Sequence, residues 1–369
     1  MRILITADPE LPVPPTLYGG IERIIDLLVR GLRANGHTVG LVAHPDSTCP
    51  VDYFFPWSGS QSQNRWDAVR NTATLKSAVQ QFQPDVLHSF SRLIYLLPLM
   101  TTPLPKIMSY QRCPTPHPVR WAAKLAGKSL SFTGCSEHIC RQGRAAGGVW
   151  YPIHNCVELE KYTFQPTVAD DAPLVFLSRI ERIKGAHTAI AAARKMNRRL
   201  LIAGNQVNTP EGKQYWDSEI APHLAINSSG IESGTNNRIE YVGAVNDVQK
   251  NQLLGQAAAM IVPIEWDEPF GIVFAEALAC GTPVISCPSG SLPEIVRQGV
   301  DGYLVKQFSE VCKAIESLPL IDRSQCRQRA EQHFSAAVIV RQYEQLYEQF
   351  CQSQRRLQVI HREQTSTAS

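Results

Sequence analysis

Four familiar signatures are missing from these 369 residues. The ten cysteines form no Cys-x-x-Cys pair, no strand is followed by Gly-x-Gly-x-x-Gly, no P-loop string of the type Gly-x-x-x-x-Gly-Lys-Ser/Thr occurs, and there is no Asp-x-Asp. Each absence removes a chemistry. The cysteines stand singly in apolar surroundings such as Thr133-Gly134-Cys135 and Ala279-Cys280, so they read as small reduced core residues and not as zinc ligands. A dinucleotide dehydrogenase is excluded because a long proline-bearing loop, residues 8–17, follows the first apolar run where the glycine fingerprint would have to stand. A P-loop phosphotransferase falls for the same kind of reason. Long apolar runs are also lacking, and nothing approaches the roughly 18–20 residues of a membrane span. The strand-like Arg2-Ile-Leu-Ile-Thr-Ala7 follows Met1 directly with no signal peptide ahead of it, which gives the expectation of a cytoplasmic protein. Charge is sparse: 19% of residues are charged, the net charge is +3, and no basic helix is interleaved with aromatics, so no nucleic-acid partner is expected.

What is present is apolar and rhythmic. At 44% hydrophobic the chain can fill two α/β cores. In the first half, strands are predicted over 2–7, 38–43, 85–88, 106–110, 130–133 and 150–154, with helices over 21–33, 65–82, 118–126 and 136–145 between them. After a polar stretch at 157–171 the rhythm restarts, with strands over 174–177, 200–203, 239–242, 259–262, 283–286 and 303–305. Repeated βαβ alternation dictates parallel sheets. The organisation expected is therefore two doubly wound domains, 1–160 and 161–335, facing a central cleft. A C-terminal helix over 336–356 packs back toward the first domain, and a flexible tail follows over 357–369. Open parallel sheets bind ligands beyond the carboxyl ends of their strands, which points to a nucleotide.

The densest signal is residues 267–285, DEPFGIVFAEALACGTPVI. Pro269 favours a turn, Gly271 lets backbone approach a ligand at a helix start, and Gly281 with Pro283 ends that helix before the next strand. The free N–H groups of a helix start hold phosphate oxygens, but they carry only about half a positive charge. Two cations delivered by LSRIERIKG (177–185), Arg179 and Lys184, would balance a diphosphate without a metal.

The sequence resembles the retaining family 4 glycosyltransferases of GT-B fold. The likeness rests on the glycine pair in Tyr18-Gly19-Gly20-Ile21-Glu22, on RANGHTV (33–39), QPDVLHSF (83–90), HNCVELEKY (154–162), LSRIERIKG and LIAGN (201–205), and on EPFGIVFAEALACGTPVI with GSLPEIV (290–296). These run in the family's order from Met1 to about Gln349. The resemblance implies a nucleoside diphosphate sugar donor, an acceptor-binding first domain, a nucleotide-sugar-binding second domain, no metal and no further cofactor. It implies that Arg179 and Lys184 grip the diphosphate, helped by amides of Gly271, Ile272 and the Gly19-Gly20 loop across the cleft. Glu276 would take the ribose hydroxyls, and Glu268 those of the transferred hexosyl unit. The acceptor would be a polysaccharide, a glycolipid or a small molecule. Members often carry a histidine after the strand at 106–110; this chain reads Ser109-Tyr110-Gln111-Arg112, leaving Gln111 as a sugar or acceptor contact together with His88 and Tyr18.

Three readings stay open at this stage. His88 is a cleft residue or a satisfied structural one. Tyr18, Phe54, Phe55 and Trp57 are a sugar or lipid platform or part of a core. Residues 106–144 carry seven cations against Glu137 alone, a local +6 that is either a solvated face or a docking surface for an anionic membrane or a phosphate-bearing acceptor, the former placing the protein peripherally at an inner membrane face. Rival functions are a GT-B epimerase or phosphorylase and a nucleotide-sugar-binding regulatory protein.

Overall fold

Apolar runs short enough to be strands and buried on both faces impose parallel pairing, and the computed structural model, which describes residues 1–16, 19–224 and 238–366, resolves them into two parallel sheets. The chain divides into a first unit, Met1–Asn155 joined by the chain from Ala336 onward, and a second unit, Cys156–Ser335.

The first unit's sheet comprises β1 (Arg2–Thr6), β2 (Thr38–Ala43), β3 (Tyr53–Pro56), β4 (Val86–Ser89), β5 (Lys106–Tyr110), β6 (Leu130–Gly134) and β7 (Trp150–Pro152), in the order β3-β2-β1-β4-β5-β6-β7. Crossovers are made by α1 (Gly20–Ala34), α2 (Arg65–Phe82), α3 (Pro116–Ala126) and α4 (Glu137–Ala146). Caps fix where these helices begin: the Asn64 side chain accepts from the Trp66 and Asp67 amides, and the Ser136 hydroxyl from the Ile139 amide. The strand order reverses between β1 and β4, whose ends carry residues 7–8 and 90–92.

In the second unit, β8 (Leu174–Leu177), β9 (Leu200–Ala203), β10 (Ile239–Gly243), β11 (Ala259–Val262), β12 (Val284–Ser286) and β13 (Gly302–Leu304) lie in the order β10-β9-β8-β11-β12-β13. Its helices are α5 (Ala186–Lys195), α6 (Pro210–Tyr215), α7 (Asp247–Gly255), α8 (Ile272–Ala279), α9 (Leu292–Ile295), α10 (Phe308–Glu316) and α11 (Arg323–His333). Buried Arg323 ties α11 to this unit by donating to the carbonyls of Gln165, Ala257 and Gly255.

The last helix, α12 (Ala336–Ser366), belongs to the first unit and packs on α1. A Cβ on Gly31 would lie 2.5 Å from Val340 Cγ2, so this approach demands glycine. Glu344 accepts from Asn35 at 2.8 Å and meets His37 Nε2 at 2.9 Å, and Tyr343 and Tyr347 are buried.

Three expectations are corrected. The strand β3 was not foreseen: it is a half-exposed edge whose apolar run Tyr53-Phe54-Phe55 is cut short by Pro56. Two of the platform aromatics belong to the core, since Phe55 packs on it and buried Trp57 donates its Nε1 proton to the Ala7 carbonyl, while Phe54 stays exposed and Tyr18 lies outside the described residues. The +6 stretch is not one basic surface: Lys106 is wholly buried, donating to the Thr102 and Leu104 carbonyls, with burial pushing its pKa down to about 7, and Arg144 is paired with Glu137.

Candidate functional site

The second unit gathers most of the charged residues singled out from sequence. After β8 the chain passes Arg179, whose guanidinium pairs with Glu181 at 3.1 Å and is half exposed, and reaches Lys184 in the short turn before α5. Lys184 is nearly buried. Its ammonium meets Glu268 Oε2 at 2.6 Å and sits 4.4 Å from the centre of the Trp266 ring, while Trp266 Nε1 donates to the same Glu268 oxygen at 3.1 Å. Two residues 84 positions apart, one read as a phosphate cation and the other as a sugar-binding carboxylate, are thus brought into one ion pair.

The loop bearing Glu268 is held by backbone. Ser291 N donates to the Glu268 carbonyl at 2.9 Å, the Ser291 hydroxyl donates to the Phe270 carbonyl, and Gly290 N donates to Asp267 Oδ1. A Cβ on Gly290, at φ 62°, would lie 2.2 Å from the Glu268 carbonyl oxygen, so the start of GSLPEIV clamps that loop through the Gly290 backbone and the Ser291 hydroxyl. Beyond it, Gly271 caps α8 at φ 73°, no side chain caps the helix, and no acidic residue stands in its first turn, which leaves the amides of Ile272 and its neighbours as donors.

Glu276, one turn further on, is also engaged. Its Oε1 accepts from Lys250 Nζ and from the Tyr162 hydroxyl, both at 2.6 Å, and Lys250 lies 5.5 Å from the Tyr162 ring centre. Burial first and then the Glu276 charge push the Tyr162 phenol far above its ordinary pKa, so it remains a donor. Lys250, Tyr162 and Trp266 were not identified from sequence. Trp266 and Tyr162 fall beside or inside motif phrases, but Lys250 sits in α7 and meets Glu276 through tertiary packing alone.

In the first unit, Gly19 caps α1 and Gly20 opens it, while Tyr18 lies outside the described residues. His88 is corrected. It is fully buried, hydrogen-bonded through Nδ1 to the Tyr347 hydroxyl and through Nε2 to Ser109 Oγ, each at 2.6 Å, with burial pushing its pKa down to about 3. A desolvated neutral ring with both nitrogens occupied cannot meet an acceptor, so the structural alternative holds. Gln111 does face open space: it lines a cavity, and its buried Oε1 has no partner among the described residues. Among the described residues no group of three or more His, Cys, Asp or Glu is placed to hold a metal ion, and no helix is long and apolar enough to cross a membrane.

Comparison with known proteins gives matches over both units. Residues 160–333 match the family described as Glycosyl transferases group 1, and residues 18–161 match Glycosyltransferase Family 4. Alpha-maltose-1-phosphate synthase of Mycobacterium tuberculosis (strain ATCC 25618 / H37Rv) is 30% identical over 193 residues, 48% of each chain. D-inositol 3-phosphate glycosyltransferase of Mycobacterium bovis (strain BCG / Pasteur 1173P2) is 31% identical over 137 residues, 37% of this chain and 26% of that one. The chain spans about half the length or less of these curated relatives. Among solved structures, Anabaena HepE in complex with UDP and glucose superposes with a TM-score of 0.69 at 20% identity, covering 95% of this chain and 100% of that one. Sucrose-phosphate synthase from Thermosynechococcus elongatus gives 0.74 at 17% identity, covering 95% and 99%. At such identities the shared property is the fold.

Proposed function

For a chain that belongs to the family 4 glycosyltransferases of GT-B fold, we propose retaining, metal-independent transfer of a hexosyl unit from a nucleoside diphosphate sugar to a polysaccharide, glycolipid or small-molecule acceptor. The first unit binds the acceptor and the second the donor. The observation that carries this reading is the Lys184–Glu268 pair, with Arg179 on the same β8–α5 connection and the uncapped start of α8 four residues after Glu268. Arg179, Lys184 and the helix start together offset a diphosphate of charge about −2.

Both cations are occupied by carboxylates in the free protein, so donor binding is an exchange. The diphosphate takes Lys184 from Glu268 and Arg179 from Glu181, and Glu268 turns to the neutral hydroxyls of the sugar. Glu276, held by Lys250 and Tyr162, accepts from the ribose diol. As the bond from C1 to the β-phosphate oxygen breaks, the sugar gains oxocarbenium character, which the Glu268 carboxylate stabilises. The acceptor hydroxyl attacks the same face, its proton passing to the departing phosphate oxygen. HepE has been solved with UDP and glucose, which makes UDP-glucose the first donor to try. We place the reaction in the cytoplasm, with exposed Arg120, Lys124 and Arg141 available to an anionic membrane surface.

A thermal-shift screen of nucleotide sugars tests the donor class, since ligand at 100 times its dissociation constant stabilises by about 2.7 kcal/mol. UDP-glucose or a related donor should raise Tm and turn over in EDTA. Activity abolished by EDTA and restored by magnesium overturns the metal-free mechanism.

A further inference from the structure

The first unit contains a cavity of about 400 Å³, within the range of small-molecule sites, whose walls are of two kinds. One wall is apolar. The 3₁₀ segment Leu93–Leu99 buries Tyr95, Leu96 and Leu99, and its three-residue period turns Ile94 and Leu97 together toward the opening. From α3, which buries Val119 and Ala122, Trp121 faces the same space. Ile94, Leu97 and Trp121 remain 47%, 41% and 52% exposed, an unusual outlay of large apolar surface on two neighbouring elements.

The other wall lies where strands end: Asp8 follows β1 and Gln111 follows β5. Asp8 Oδ1 and Gln111 Oε1 are buried and have no hydrogen-bond partner among the described residues. Both atoms are acceptors, so what they lack is a donor. Arg92 and Arg112 line the same cavity, and a neutral hydroxyl is a donor that can satisfy both atoms. Burial, then the Glu10 charge, raises the Asp8 carboxyl to about 7, as expected of an oxygen with too few donors.

We propose that this cavity binds an amphipathic acceptor, with hydroxyls donating to Asp8 and Gln111 and an apolar aglycone lying along Ile94, Leu97 and Trp121. The word acceptor rests on the glycosyltransferase reading above; the binding chemistry does not.

The test is direct titration, without nucleotide, of octyl β-glucopyranoside below its micellar threshold and of methyl β-glucopyranoside. Each methylene buried is worth roughly a fourfold gain in affinity, so two suffice for about tenfold. The octyl glucoside should bind at least about tenfold more tightly than the methyl glucoside. Leu97→Ser and Trp121→Ala, both at half-exposed positions, should erase that gain and leave the methyl glucoside unaffected, whereas Asp8→Ala and Gln111→Leu should weaken both glucosides by the same factor. Equal affinity for the two glucosides, or an octyl gain that survives both apolar substitutions, overturns the proposal. If that happens while nucleoside diphosphate is still released from a nucleotide sugar by a polar acceptor, the glycosyltransferase reading stands and the amphipathic acceptor falls. If octyl glucoside binds as stated and no nucleotide sugar binds or turns over, the cavity stands and the reaction falls.

Discussion

In the second unit Glu268 and Glu276 each meet a lysine at 2.6 Å, whereas in the first unit Asp8 Oδ1 and Gln111 Oε1 are buried with no donor among the described residues. The contrast separates two ways of preparing for a ligand. An ion pair near 10% exposure roughly breaks even against its own desolvation, so an arriving anion can exchange for one partner at modest cost. A buried acceptor without a donor is already destabilising, and a neutral hydroxyl relieves it. The first arrangement selects for charge and the second for hydrogen-bond donors.

The most damaging way to break the ionic half is at Glu268. If Glu268 holds the transferred sugar as proposed, Glu268→Gln removes a contact that strengthens in the transition state and should lower kcat by about ten- to a thousandfold. Because the substitution also frees Lys184, nucleoside diphosphate binding measured by calorimetry should be unchanged or tighter. An affinity loss as large as the kcat loss would show that the pair acts on the nucleotide as a unit. Lys184→Ala leaves Glu268 nearly buried and unpaired, so it should raise donor KM and lower Tm together.

The hydrogen-bonding half is probed by pH. Asp8 is held at about 7 against an ordinary 3.8, with Glu10, Glu22, Arg92 and Arg112 as its charged neighbours. The native state therefore keeps a proton the unfolded chain has lost, so the stability tied to this group is fully present below about pH 4 and is lost as pH rises through about 7. Asp8→Asn should match the wild type in acid and exceed it at pH 8 by on the order of 2 kcal/mol, allowing for partial solvation. Coincident Tm–pH curves would mean that Asp8 finds its donor within the protein.

The smallest expected effects sharpen the ionic half from its outer end. If Glu276 takes the ribose as proposed, Glu276→Gln should raise donor KM with little change in kcat, because the ribose is the same in bound donor and transition state. Tyr162→Phe, which removes one of two donors to Glu276, should do the same more weakly, by up to roughly tenfold. A kcat effect larger than the KM effect in either variant would move Glu276 into the reacting end of the site.

Central strands such as β1 and β8 were legible in the sequence because both faces are buried and their runs are continuously apolar. The edge strand β3 was not, since its apolar run is only three residues long before Pro56. Arg179, Lys184, Glu268 and Glu276 were singled out one by one because each stands in a local phrase, but nothing in those phrases shows the partners they meet. The Lys250–Glu276 contact depends on how α7 packs beside α8, and no local spacing encodes that. His88 fails for a related reason: a strand-end histidine looks the same whether it faces solvent or, as here, a tyrosine 259 residues later. Lys106 shows that a count of charges along a chain says nothing of which are buried.

The return of α12 to the first unit has a consequence for synthesis. Domains generally form in order as the chain leaves the ribosome, at roughly 5–20 residues per second. Here the second unit is contiguous and can be finished while the first still waits for Tyr343 and Tyr347, the buried side chains packed against His88. Until they emerge, the groove beside α1 at Gly31 and the ring of His88 are bare to water. The part of the protein made first is thus the part completed last, and a first unit expressed alone must carry the α12 sequence grafted after Asn155.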